Sequence, residues 1–126
     1  MRDINLKEAL REGRTVAGPF MKLGDPAAAE IMGLAGFDFV IIDLEHGPLS
    51  VESAQNMIRA AVLAGAAPVV RVGRNESHAI LRALDIGAHG VQIPHVDSRE
   101  SARTAVRWSK YAPLGERGVC RYVRAA

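Results

Sequence analysis

Residues 37–48, FDFVIIDLEHGP, narrow the possible folds more than any other stretch of the chain. The first half is a short run of large apolar and β-branched side chains: Phe37, Phe39, Val40, Ile41 and Ile42. Such a run reads as a strand buried on both faces, as parallel strands between layers of helices are. The second half changes abruptly to Asp43, Glu45 and His46, followed by Gly47 and Pro48. Titratable groups at the carboxyl end of a buried strand stand where α/β proteins usually do chemistry.

The flanking sequence supplies more units of the same kind. Residues 5–11 predict a short amphipathic helix stopped by Gly13, and residues 16–23 a strand. Asp25-Pro26 gives an N-cap with proline at the first helical position, and that helix runs to Gly36. Ser50 caps the next helix, with Ser53 where a capping box would want Glu. Ala54, Met57, Ile58, Ala61 and Val62 share one side of it, and Gly65 ends it. Residues 68–72 and 90–96 predict two further strands, with a helix over 76–86 between them. Ser98 and Ser101 open a last helix, with Arg99, Arg103, Arg107 and Lys110 facing water and Ala102, Ala105 and Val106 facing in. From Tyr111 the chain reads as irregular.

Alternating strands and helices imply a parallel sheet with right-handed crossovers. Four such units make half of a (β/α)8 barrel or a small open sheet. Polar residues close the second strand (Asp43, Glu45, His46), the third (Arg71) and the fourth (Gln92, His95). An open doubly wound sheet gathers ligand groups at one switch point, whereas a barrel draws them from successive strand ends. The sequence shows the second pattern, so the fold class expected is α/β, a TIM barrel of which this chain supplies an N-terminal helix and four βα units.

Composition excludes several function classes. With 126 residues, 48% of them hydrophobic, the chain suits one domain with a real core. A net charge of +2 without a basic run gives no argument for nucleic acid. No apolar stretch approaches the ~18 residues of a membrane helix. The charged start lacks the apolar core of a secretory signal, and the single cysteine, Cys120, forms no internal disulfide. Both fit a reducing cytoplasm. Dinucleotide, Walker, CxxC, HExxH and serine-elbow patterns are absent.

Each chemistry-bearing residue has an ordinary alternative. His46 is either a general base, with an unperturbed pKa of ~6.5, or a loop histidine with one hydrogen bond. Asp43 and Glu45 share a strand face if alternation holds; together they attract a divalent cation or orient water, or else they brace the loop. Arg71 interrupts the apolar run PVVRV, and a charge inside a buried strand needs a partner. It either balances a structural carboxylate or holds an anionic substrate group. His95 can line the same mouth, with packing as its more ordinary role. His89 and His78 read as structural or exposed. Asp85, near a helix C-terminus, opposes the helix dipole and asks for a partner. The loop over 115–118, with Arg117, Arg121 and Arg124, binds an anion or is a solvated linker.

Together, AGFDFVIIDLEHGP (35–48), APVVRV (67–72), LDIGAHGVQIPHV (84–96) and YAPLGERGV (111–119) resemble the HpcH/HpaI family of metal-dependent class II pyruvate aldolases. The resemblance spans essentially the whole chain. It implies a (β/α)8 barrel, usually hexameric, that cleaves or forms 4-hydroxy-2-oxo acids to give pyruvate and an aldehyde. It implies that His46 is the base, that Arg71 steadies the pyruvate enolate, that Asp85 makes that histidine more basic, and that Asp43 stands beside the same site. Phe20 and Val119 would line the aldehyde pocket. The cofactor implied is a divalent metal ion, Mg, Mn or Co. Oxaloacetate-decarboxylase-type chemistry and a non-catalytic half-barrel are the alternatives on this scaffold.

Three departures accompany the resemblance. The family's metal-binding Glu and Asp, on strands five and six, and a substrate-binding Gln have no counterpart here; Glu45 would stand at most in the second shell. Cys120 stands where relatives often have glycine. Asp85 falls at the opposite end of its own barrel from His46, so that either a neighbouring subunit supplies it or the helix ends elsewhere than this reading puts it. Residues 1–126 are therefore expected to be the N-terminal half of a single barrel domain in a longer protein, or a half-barrel that pairs with another copy, because bare strand edges invite pairing.

Overall fold

The structure is a computed structural model and describes residues 5–125. Residues 1–4, which begin the charged stretch read above as lacking a secretory signal, and residue 126 lie outside the described residues. The elements follow in the order α1 (Leu6–Arg11), β1 (Phe20–Met21), α2 (Pro26–Leu34), β2 (Phe39–Asp43), α3 (Val51–Leu63), β3 (Ala67–Arg71), α4 (Ser77–Asp85), β4 (Gly90–Gln92) and α5 (Arg99–Ser109). The four strands form one parallel sheet in the order β1-β2-β3-β4. A doubly wound sheet would reverse its order at a switch point. Strict sequential order is that of half a (β/α)8 barrel.

One face of the sheet carries the core. Met21, Val40, Ile42, Val70 and Val72 pack with Ala29 of α2, Ala54, Met57, Ile58 and Ala61 of α3, and Ile80 and Ala83 of α4, all essentially inaccessible. Burying each large side chain contributes ~1.5–3 kcal/mol, so packing rather than helix propensity holds the layers. The other face is less covered. Ile41 and Val69 are only partly buried and Phe20 is half-exposed. The expectation that β2 is buried on both faces therefore holds fully on its helix-facing side and, on the other, only at Asp43.

Polar side chains set the helix starts. Asp25 accepts from the Ala27 amide. Ser50 and Ser53 make a full reciprocal capping box, as do Ser98 and Ser101, so serine completes the motif where Glu was expected.

Three sequence expectations need correction. The first strand is two residues long rather than eight. The chain before it does run beside β2, through Asp38 N to Ala17 O at 2.8 Å and Ile41 N to Pro19 O at 2.9 Å, but Pro19 has no N–H with which to continue the ladder. The fourth strand stops at Gln92, because Pro94 lacks a donor and His95, at φ +55°, turns the backbone away. On α5, Ala105 faces in but Ala102 and Val106 are exposed. The inward stripe passes through Ser101, Ala105 and Trp108, because the large indole takes the place against the core.

Helices α2 and α3 approach closely where Gly33 meets the end of α3. A Cβ on Gly33 would lie 2.5 Å from Ala64 Cβ and 3.0 Å from its carbonyl oxygen. Backbone lies behind that contact, so relief requires the helices to separate. Gly33→Ala should lower the stability of the full-length protein by about 1–3 kcal/mol despite alanine's better helix propensity. A urea midpoint equal to or above wild type would show that the crossing relaxes freely.

After α5 the chain doubles back over the helices. Glu116 N donates to Arg107 O at 2.7 Å and Arg117 N to Lys110 O at 2.9 Å. The Arg117 guanidinium lies 4.7 Å from the Tyr111 ring centroid and donates from Nη2 to Asp85 Oδ1 at 2.7 Å, with its side chain 7% exposed. Arg124 N donates to Asp85 O at 3.1 Å. The segment is therefore a strap that closes the end of α4. Arg117 is the partner Asp85 asks for, and this arginine belongs neither to a solvated linker nor to a free anion site. No helix among the described residues is long and apolar enough to cross a membrane.

Candidate active site

The last residues of β2 and β3 are paired in register, Asp43 with Arg71, and Arg71 with Gln92 of β4. That register sets Asp43 and Arg71 side by side on the less covered face. Arg71 donates from Nε to Asp43 Oδ1 at 2.9 Å and from Nη2 to Oδ2 at 2.6 Å, a two-pronged charged pair. Asp43 Oδ1 also accepts from the Glu45 and His46 amides, each at 3.0 Å, and so folds the following loop back over the strand end. Gly47 is required by that fold, since a Cβ there would collide with the Asp43 carbonyl oxygen.

Asp43 is fully buried, and Arg71 is 17% exposed in its side chain. The Arg71 guanidinium, helped by the amides of His46 and Glu45, holds the Asp43 carboxyl well below the usual carboxylate range against the opposing effect of burial. The same carboxylate raises the pKa of Arg71 above its ordinary value, with burial again opposing. Both groups are ionised across the physiological range.

Glu45 joins the remaining groups. Its Oε2 lies 3.3 Å from Arg71 Nε and 3.7 Å from His46 Nε2, and its Oε1 lies 3.2 Å from His95 Nε2. The Arg71 guanidinium lies over the Phe20 ring, with Cζ 4.8 Å from the centroid. Arg71 Nη1 has no partner among the described residues. The cluster thus offers one guanidinium nitrogen without a partner among the described residues and two accessible imidazoles, His46 and His95, around Glu45.

Of the residues singled out from the sequence, Asp43, Glu45, His46, Arg71, Phe20 and His95 converge at these strand ends. Asp85 and Val119 do not join them within one chain. Asp85 ends α4, beside the entry to β4, where His89 N bonds Pro68 O at 2.8 Å, and this is the amino end of the sheet. Val119 is exposed on the strap. The two alternatives for Arg71 are resolved in part: its Nε and Nη2 edge serves a structural carboxylate, and only Nη1 is left for a ligand. The sequence places His95 at this mouth, with packing as its more ordinary role, but not its contact with Glu45, nor Glu45 as the hub. Pro94-His95 at a strand end was the available signal.

Asp43 and Glu45 are both engaged with Arg71, and the described residues contain no cluster of three or more His, Cys, Asp or Glu able to hold a metal. These residues by themselves do not make a metal centre.

Comparison with known proteins places this geometry. The family model HpcH/HpaI aldolase/citrate lyase matches residues 17–125. The chain is 38% identical over 109 residues to the 2-dehydro-3,6-dideoxy-6-sulfogluconate aldolase of Pseudomonas putida, covering 86% of this chain and 43% of that protein. It is 42% identical over 113 residues to the hydroxypyruvate/pyruvate aldolase of Agrobacterium fabrum, covering 90% of this chain and 42% of that one. The crystal structure of an HpcH/HpaI aldolase/citrate lyase family protein from Burkholderia cenocepacia superposes with a TM-score of 0.90 at 36% identity, over 95% of this chain and 49% of that one. The chain spans less than half the length of these relatives. With the parallel βα order, the strand-end cluster and the match from residue 17 to residue 125 all in agreement, the chain belongs to the HpcH/HpaI aldolase/citrate lyase family.

Proposed function

We propose that the full-length protein is a class II aldolase that reversibly cleaves a 4-hydroxy-2-oxo acid to pyruvate and an aldehyde. Residues 1–126 form the N-terminal half of its single TIM-barrel domain. The observation that carries this reading is the meeting of the Arg71 guanidinium, through Nε, and the exposed His46 imidazole at one carboxylate oxygen of Glu45, in a chain whose relatives are named aldolases.

Cleavage moves one proton and one bonding pair. His46 takes the proton of the 4-hydroxyl as the C3–C4 bond breaks, and the aldehyde leaves. The bonding electrons pass to the 2-oxo oxygen of the pyruvate enolate, and Arg71 Nη1 donates toward that negative charge. Protonation of C3 then gives pyruvate. Asp43 holds Arg71 in place and Phe20 walls the near side, with Val119 assigned to the aldehyde pocket. The cofactor assigned is a divalent metal, Mg, Mn or Co, which supplies Lewis acidity when bound; its ligands are assigned to the remainder of the full-length protein. We place the enzyme in the cytoplasm as a homo-oligomer, a hexamer by family, in which Asp85 and Val119 serve the site of a neighbouring copy.

Exchange of pyruvate methyl protons with solvent tests the reading. The full-length protein should catalyse this exchange with at least one of the three metals, and a chelator should abolish it. Residues 1–126 alone should be silent. A full-length preparation without exchange in any of the metals would sink the aldolase assignment.

A further inference from the structure

Glu45 has a side chain only 11% exposed, yet the imidazoles on either side of it are 61% (His46) and 86% (His95) exposed. His95 reaches Glu45 from beyond β4, with β3 lying between that strand and β2. It does so at φ +55°, the sole positive φ at a non-glycine residue among those described. A left-handed backbone at such a residue persists only where the surroundings impose it, and it concentrates at functional sites. So exposed a ring gains little from burial, so core packing does not account for the conformation. The terminal torsion of a glutamate is broad, and a carboxylate held at one oxygen swings easily. Glu45 is approached at both: His95 Nε2 stands 3.2 Å from Oε1, while Oε2 faces Arg71 Nε at 3.3 Å and His46 Nε2 at 3.7 Å.

We propose that His95 is a positioning residue, which fixes Glu45 through Oε1 so that Oε2 stays directed at Arg71 and His46. The His46 ring is then kept in the orientation its proton transfer needs. The kinetic part of this inference rests on the aldolase reading; the contact itself does not.

The test uses the full-length protein with His95→Gly, His95→Gln, Glu45→Gln and the His95→Gly/Glu45→Gln double variant. Glycine accepts φ +55° without strain, so His95→Gly should melt at or above the wild-type temperature. Its kcat for pyruvate proton exchange should nevertheless fall about tenfold, with KM for pyruvate within about twofold, as expected when an orienting partner is lost. Glutamine carries an N–H donor at comparable reach and should recover most of the rate. In the Glu45→Gln background, His95→Gly should add nothing further, because the two act through one contact. An exchange rate for His95→Gly near wild type, failure of glutamine to restore it, or an undiminished drop in the Glu45→Gln background would overturn the proposal. A separate readout needs no activity: the imidazole 15N resonance of His95 should move on Glu45→Gln. If the wild type fails to exchange protons, the aldolase reading falls while this signal still judges the contact; an unmoved resonance rejects it.

Discussion

Replacing Asp43 by alanine should cost the full-length protein about 3–5 kcal/mol of folding stability, the typical penalty for breaking one side of a buried ion pair. The substitution removes both bonds to Arg71 and the acceptor for the Glu45 and His46 amides at once. It also leaves the arginine charged, little exposed and without its main partner. Asp43→Asn should fall between alanine and wild type, since it keeps an acceptor for the amides but loses the charge. The pH dependence follows from the depressed carboxyl. The contribution of Asp43 is fully present above the unfolded value of ~3.9 and is lost as pH falls below it toward the lower folded value. The raised pKa of Arg71 leaves its own contribution intact throughout that window. The stability gap between wild type and Asp43→Asn should therefore be constant from neutral pH to about pH 4 and shrink below it. Urea midpoints at pH 7, 5 and 3 measure this; a gap that stays constant down to pH 3 would refute the ion-pair account.

The second large effect is catalytic. His46→Ala should slow pyruvate proton exchange by about 10²–10⁴-fold while leaving pyruvate affinity near wild type, because a general base acts on the proton and hardly on ground-state binding. Arg71→Lys should damage both rate and affinity, and stability as well. An ammonium cannot take both Asp43 oxygens and still present an N–H on the far side, as the planar guanidinium does. Exchange rates beside pyruvate affinities separate the two roles. A His46→Ala protein that exchanges at a near-normal rate means another group is the base.

The run FVIID and the run PVVRV over 68–72 declared two parallel strands, because covered strands have few other compositions. Strand-end polarity then argued for barrel order, and the sheet follows it. Asp43 and Arg71 stood out as charges attached to apolar runs. Their pairing was not legible, since it depends on a register between strands 28 residues apart. Periodicity along one strand cannot show it. Glu45 and His95 were undervalued for the same reason: their contact spans three strands and depends on one unusual backbone torsion. The one-residue shift of the α5 stripe was hidden because alanine occupies both candidate phases, at 102 and 105, and Trp108 decides between them.

Sequential strand order bears on how the chain assembles. Every strand pairs with the one made just before it. At roughly 5–20 residues per second, Arg71 leaves the ribosome a few seconds after Asp43. Until β3 docks, the carboxylate at the tip of β2 is an edge charge without a counter-ion. A strand slipped by one position would set Val70 or Val72 opposite it in place of the arginine and turn the apolar set of β3 to the wrong face. The ion pair is therefore also a register check: only the correct alignment of β3 on β2 neutralises Asp43.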